Sequence, residues 1–368
     1  MIRIRDPLHG TVQLTPFEEK LLDTPQMQML RGVRQLAMAY LVYPGANHTR
    51  FEHSIGTLFL ADKICRELSL PSGQSEKIRA AALLHDVGHV AFSHEAEAVL
   101  KEKIGDHEKV GKRLILKSEV ADVLQEKFSP AEIAGIYSTP LGQIITSDIG
   151  ADRMDYLLRD SHYTGVAYGV VDADRICGSI RMEKGGLVLS ERGLAAAESL
   201  LVARFTMFHT VYLHKTVRIA SRMLQQAITL AIEGCAFSAE DAIGMTDSHM
   251  LDALMRCPAS QPYVHRLRNR WLFKKAYSFA PDKMRMSVSK AERELSEKCG
   301  CPVLIDVPRI SLEAEIKVDY RGKREPLSKV SELVASLQKM QKSRMSVMVI
   351  CEEKSVRKVS EAARKMFG

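Results

Sequence analysis

The sequence predicts a mainly α-helical fold with one short β-hairpin and a smaller C-terminal α+β region. Three observations carry this. Apolar residues recur at helical spacing over most of the chain up to Glu233. Lys184-Gly185-Gly186 interrupts that pattern between two short β-prone runs. Beyond about residue 235, strand-like and helix-like runs alternate.

Taken in order, residues 15–40 and 52–70 read as amphipathic helices, with Pro16 in a first turn and Leu21, Leu22, Met29, Leu30 and Val33 at helical spacing. Residues 76–86 are strongly helix-forming, and Gly88 marks a turn after them. Helical patterns continue over 107–126, 130–136, 150–160 and 193–233. Ile180–Ser190 is the hairpin. Pro302–Val307, Ala314–Val318 and Met345–Cys351 read as strands, while Ser328–Gln341 and Ser355–Met366 read as helices. The expected organisation is residues 1–235 as one domain, followed by a basic α+β region over 236–368. No internal repeat or low-complexity tract is present.

With 368 residues, 46% of them hydrophobic, the chain has enough apolar material for a full core, which excludes wholesale disorder. The formal charge of +7 is uneven. Residues 261–368 hold 24 basic and 13 acidic side chains, leaving 28 and 32 for the rest. Ten of the twelve histidines lie at or before His214. The N-terminus lacks an apolar signal segment, and no apolar run approaches the ~18 residues of a membrane span. The seven cysteines are odd in number and scattered, as expected of reduced thiols in a cytoplasmic protein.

Four segments concentrate chemistry: Asn47–Ser54, Leu83–Glu95, Asp106-His107-Glu108 and Gly150–Asp160. Arg50 and His53 are three apart and share a helix face. Leu83–Glu95 places His85, Asp86, His89 and His94 behind an apolar helix that would bury its end. A buried carboxylate costs several kcal/mol unless it is paired or ligates a metal. An adjacent His-Asp pair points its side chains about 100° apart on a helix, so other helices must complete a site. His53 and Asp152 are the obvious suppliers. The resulting mixed N/O set suits a divalent Mn, Fe, Zn or Mg ion. Asp152, Tyr156 and Asp160 are spaced i, i+4, i+8 along one helix face.

At these residues the sequence resembles the HD-domain phosphohydrolases, and more closely their deoxynucleoside triphosphate triphosphohydrolase branch, which includes bacterial dNTPases and the animal sterile-alpha-motif/HD enzyme. The resemblance runs from Asp6-Pro7-Leu8-His9-Gly10 through Arg50-Phe51-Glu52-His53-Ser54 and His85-Asp86-Val87-Gly88-His89 to Met207–His214. It implies that His53, His85, Asp86 and Asp152 hold the metal. It places His89, His94, His107 and Glu97 around the phosphates, with Glu97 where the animal enzyme has Asp. Arg50 and Arg153 are implied to hold phosphate oxygens, Arg153 standing where that enzyme has Lys. Gln35 and Leu36 would face sugar or base, Tyr156 and Asp160 the 3′-hydroxyl, and Tyr212 the sugar. The region after His209 is shorter than in the animal enzyme.

The expected activity is therefore metal-dependent release of inorganic triphosphate from a dNTP. A phosphatase or phosphodiesterase acting on another nucleotide, such as a nucleoside monophosphate, is the enzymatic alternative. A nucleotide-sensing or nucleic-acid-binding module is the non-catalytic one, supported by the basic and aromatic run Arg266–Lys275. The plainer reading of that run, a solvated helix face with Trp271 and Phe273 in the core, is preferred. The resemblance also implies a homo-oligomer, dimer or tetramer, with a regulatory nucleotide between subunits.

Overall fold

The computed structural model describes residues 2–308, 316–343 and 345–368. It opens with an antiparallel hairpin not foreseen from sequence, β1 (Ile2–Asp6) and β2 (Gly10–Leu14). Asp6 builds its turn: Oδ1 accepts from the backbone N–H groups of Leu8 and His9, each at 2.9 Å.

The helix expected over 15–40 is broken. Thr15 and Glu18 form a reciprocal cap on helix Pro16–Leu22. Pro25 then keeps Thr24 extended and begins a second short helix, Pro25–Met29. The chain continues through tight turns at Leu30–Gly32 and Ala37–Leu41, with Ala37 left-handed at φ 42°.

Three helices form the centre: Arg50–Glu67, Ser72–Leu84 and Ala151–Thr164, with Arg50–Glu67 packed against both others. Leu58, Ile78, Leu83, Met154 and Leu157 are fully buried in one apolar cluster there. Helix His94–Ile104 was not anticipated; it begins after Phe92 and Ser93, both left-handed at φ 58° and 51°. The run expected over 107–126 is two helices, His107–Lys117 and Glu119–Leu124. Extended Ser118 separates them and its hydroxyl accepts from the Val120 N–H. The run expected over 193–233 is likewise interrupted. Helix Leu194–Met207 opens into a wide π turn at Phe208–Tyr212, and His214 caps the next helix, Lys215–Glu233.

The predicted hairpin is present as β3 (Ile180–Glu183) and β4 (Gly186–Ser190). Toward the C-terminus come β5 (Lys274–Phe279), β6 (Val303–Asp306), β7 (Lys317–Tyr320), β8 (Lys323–Pro326) and β9 (Val347–Cys351). They form two sheets. One, ordered β3-β4-β7-β8, joins β7 in parallel to the front hairpin. The strand expected over 314–318 thus runs later than foreseen, and residues 314 and 315 lie outside the described residues. The other sheet is antiparallel, ordered β5-β9-β6. Its central strand is buried on both faces. Met348 and Ile350 pack toward helix Lys215–Glu233, while Val347, Val349 and Cys351 pack toward helices Val288–Cys299 and Val356–Phe367.

Helices Asp247–Arg256, Gln261–Arg268 and Val288–Cys299, and strand β5, were not anticipated. Lys274 and Lys275 reside on β5, an edge strand that charge keeps from pairing further. Phe273 is in the core as expected, but Trp271 is 58% exposed. Its ring packs edge-on against His265 instead.

Candidate metal centre and nucleotide site

Helix Ser72–Leu84 is buried from Ala80 to Leu84 and stops there, so His85 and Asp86 emerge from its apolar end. His85 donates Nδ1–H to the Ala82 carbonyl at 2.8 Å, which leaves a lone pair on Nε2. His53, in the first turn of Arg50–Glu67, donates Nδ1–H to Asp155 Oδ2 at 2.8 Å, leaving Nε2 on the same side. The two Nε2 atoms face one another at 3.2 Å. Asp152 Oδ1 lies 3.0 Å from His53 Nε2 and 3.7 Å from His85 Nε2. Asp86 brings Oδ1 to 3.4 Å from His85 Nε2 and Oδ2 to 3.7 Å from His53 Nε2.

Two imidazole nitrogens and the Asp152 carboxylate, with Asp86 beside the imidazoles, fit a divalent cation of borderline or hard character. Ligand atoms of His53, His85 and Asp152 all lie within 4.8 Å of one another. Burial alone would lower the His53 imidazolium, but Asp152 and Asp155 outweigh it and raise its pKa to about 10. That proton must leave before Nε2 can act as a ligand. Burial would raise Asp86; Arg50, His85 and His89 reverse this and hold it well below the carboxylate range. Arg50 is locked in place, with Nη1 2.6 Å from Asp86 Oδ2 and Nε 2.9 Å from Ser93 Oγ.

A second cluster adjoins the first. His89 Nε2 lies 3.3 Å from Asp86 Oδ1. Its ring stacks on His107 with centroids 4.2 Å apart, and His94 meets it edge-on at 4.9 Å. Gly88 permits this approach, because a Cβ there would collide with the His107 carbonyl and the Gly111 N–H. Glu97 Oε2 lies 2.6 Å from His107 Nδ1 and 3.9 Å from His94 Nδ1. Burial opposes charge on both partners, yet the His107 hydrogen bond lowers the Glu97 carboxyl and Glu97 raises the His107 imidazolium. The His94 side chain is 64% exposed, the most open of the set.

Two turns after Asp152 on helix Ala151–Thr164, Asp160 accepts from His48 Nε2 at 2.8 Å and from the Tyr212 hydroxyl at 2.6 Å. Burial, with Asp160 beside it, pushes the Tyr212 hydroxyl well above its ordinary value. Burial also raises Tyr156. Arg153 pairs with Asp148, which Arg204 approaches at 3.3 Å. Gln35 and Leu36 lie on a separate segment, the turn before Ala37. The Gln35 side-chain oxygen is buried without a protein partner.

The structure thus draws His53, His85 and Asp152 to one point with Asp86 at its edge, His89, His94, His107 and Glu97 to a second, and Asp160 and Tyr212 to a third. Sequence reasoning assigned nothing to His48, Asp148, Asp155 or Arg159. Asp155 and Arg159 carried one signal, an Asp–Arg pair at i, i+4, which commonly marks only a surface ion pair.

A helical bundle holding a His…His-Asp…Asp cluster beside a histidine-rich pocket defines a class of metal-dependent phosphohydrolases. Residues 50–160 match the HD domain, and residues 171–368 match the HD associated region. The chain belongs to this HD-domain family. An uncharacterised protein of Methanocaldococcus jannaschii is 34% identical to it, over 97% of this chain and 81% of that protein. A crystal structure of a hypothetical protein from Aquifex aeolicus superposes with a TM-score of 0.83 at 31% identity, covering both chains fully. The deoxynucleoside triphosphate triphosphohydrolase SAMHD1 homologue of Dictyostelium discoideum is 26% identical over 80% of this chain, which spans 64% of that relative. Among the described residues, no helix is long and apolar enough to cross a membrane.

Proposed function

We propose that the chain hydrolyses deoxynucleoside triphosphates to the deoxynucleoside and inorganic triphosphate. The observation that carries this reading is the adjacency of two histidine clusters on either side of Asp86; both are donor sets that could hold a metal ion, and we assign the ion to the cluster of His53 and His85 and proton transfer to the other. The Dictyostelium relative, named for that activity, supports the choice of substrate. His53, His85, Asp86 and Asp152 would hold the ion. A divalent ion bound there supplies a water of lowered pKa and polarises a phosphate oxygen.

The remaining work falls to side chains of the protein. Arg50 and Arg153 offset charge that builds on the phosphates as the α-phosphorus is attacked. Arg50 is preset for this by Asp86 and Ser93. The departing 5′-oxygen takes a proton from His94 by preference, or from His107, with Glu97 and His89 holding the cluster in place. Tyr156, Asp160 and Tyr212 receive the sugar. Gln35, whose side-chain oxygen lacks a protein partner, and Leu36 meet sugar or base.

Further parts of the reading are a homo-oligomer, dimer or tetramer, with a regulatory nucleotide between subunits. It also takes residues 1–235 as the catalytic unit and 236–368 as an oligomerisation or regulatory region. Single-stranded nucleic acid is a further candidate partner for the basic third, where Trp271 is exposed.

The test is product identification. Purified protein with Mn²⁺ or Mg²⁺ is expected to release inorganic triphosphate from at least one dNTP. Orthophosphate or pyrophosphate as the only product, or turnover of a nucleoside monophosphate alone, overturns the reading and favours an HD-type phosphatase or phosphodiesterase.

A further inference from the structure

Behind the candidate metal ligands lies a buried chain of charge that ends in the N-terminal hairpin. Asp155 accepts four hydrogen bonds. Oδ2 receives His53 Nδ1 at 2.8 Å and Arg159 Nε at 2.9 Å. Oδ1 receives His9 Nε2 at 2.6 Å and Arg159 Nη2 at 3.0 Å. Arg159 Nη1 continues to Asp6 Oδ2 at 2.9 Å. None of these side chains is more than 7% exposed. Asp6 is itself fixed, since Oδ1 builds the hairpin turn.

Two features set this network apart from an ordinary buried ion pair. Its terminus is the one nitrogen of His53 that faces away from the candidate ion, so the Asp155 carboxylate fixes both the tautomer and the ring plane that aim Nε2 at Asp152 and His85. The helix is also cut away to admit it. Gly56, one turn after His53, has no room for a Cβ, which would collide with Asp155 Oδ1 and Arg159 Nη2. Burial would raise the Asp155 carboxyl, but Arg159, His53 and His9 keep it charged. Both Asp155 oxygens already accept from Arg159, so the tautomer that fits this geometry has His9 Nε2–H donating to Oδ1.

We propose that Asp155 is the positioning residue of the metal centre and that the hairpin tip, through His9 and the Asp6–Arg159 link, is a working part of it. The affinity for the divalent ion then depends on residues within the first ten of the chain. This rests on the metal site proposed above and is independent of the choice of substrate.

The experiment titrates Mn²⁺ into chelator-stripped full-length protein and reads free Mn²⁺ by electron paramagnetic resonance, with thermal unfolding measured in parallel. Asp155→Asn is expected to weaken Mn²⁺ binding about 10- to 100-fold, and His9→Ala several-fold. Arg79→Gln is the control. Arg79 bonds Glu18 at 2.6 Å and the Gln13 carbonyl at 3.1 Å, anchoring the same hairpin with no contact to Asp155. It should lower the melting temperature and leave Mn²⁺ affinity unchanged. Should Asp155→Asn fail to fold, His9→Ala decides alone. Wild-type affinity in both variants, or an equal loss in Arg79→Gln, overturns the proposal. A wild-type protein that binds no Mn²⁺, Mg²⁺, Zn²⁺ or Fe²⁺ overturns the metal site itself.

Discussion

The two histidine clusters share Asp86 and are built on opposite terms. In the first, both rings are pinned at Nδ1, His53 by Asp155 and His85 by the Ala82 carbonyl, so both present Nε2 to the same point. In the second, His89 stacks on His107 and approaches Asp86, His107 and His94 meet Glu97, and His94 opens to solvent. Pinned lone pairs suit an ion that stays, whereas rings in mutual contact beside carboxylates suit protons that move. The difference teaches how eight side chains of only three residue types could divide two tasks within one pocket. On the proposed reading, the partners that hold each imidazole, more than the imidazoles themselves, would decide which task each ring performs.

Mutation of one cluster at a time separates them. His85→Ala is expected to abolish high-affinity ion binding and to lower turnover by about 10³-fold or more, the equivalent of several kcal/mol. Metal analysis and steady-state kinetics on the same preparation check both. His94→Asn is expected to lower kcat about 10²- to 10⁴-fold, the usual range for a lost acid–base group, with ion affinity unchanged. Ion loss in His94→Asn equal to that in His85→Ala would merge the clusters into one metal site.

The smallest effect lies in stability. Glu97 is lowered from its ordinary 4.5 and His107 raised from its ordinary 6.5. A lowered carboxyl stabilises above its unfolded value and loses that contribution as pH falls through the folded one. A raised imidazolium stabilises below its unfolded value and loses it as pH rises through the folded one. The pair therefore contributes fully between pH 4.5 and 6.5. Urea denaturation of wild type and Glu97→Gln should differ most in that window and converge toward alkaline pH. A constant difference from about pH 5 to about pH 9 contradicts the pairing.

Much of the front was legible because its signals are local. The apolar spacing of Phe51, Ile55 and Leu58 marks a helix, and His85-Asp86 after a buried apolar run asks for a partner cation. The lost part depended on distance along the chain. His9 meets Asp155 across 146 positions, and no pattern near either residue announces it. Asp155 and Arg159 drew no reading, because i, i+4 spacing does not reveal which helix face is covered. Pro25 was a readable break that apolar periodicity outweighed. The π turn at Phe208–Tyr212, which delivers Tyr212 to Asp160, left no signal, since its sequence continues the helical pattern on both sides. Lys274 and Lys275 read as part of a solvated helix face; they are exposed, but on an edge strand paired with β9.

The central claim is that water is directed to the α-phosphorus of a dNTP by a metal-holding cluster with a separate proton-donating one beside it. Turnover of dGTP in oxygen-18 water by the Mn²⁺-loaded protein tests it most directly. One labelled oxygen in the inorganic triphosphate, none in deoxyguanosine, and no product after chelation are the predicted results. Label in deoxyguanosine, label in released orthophosphate or pyrophosphate, or undiminished turnover after chelation would contradict it.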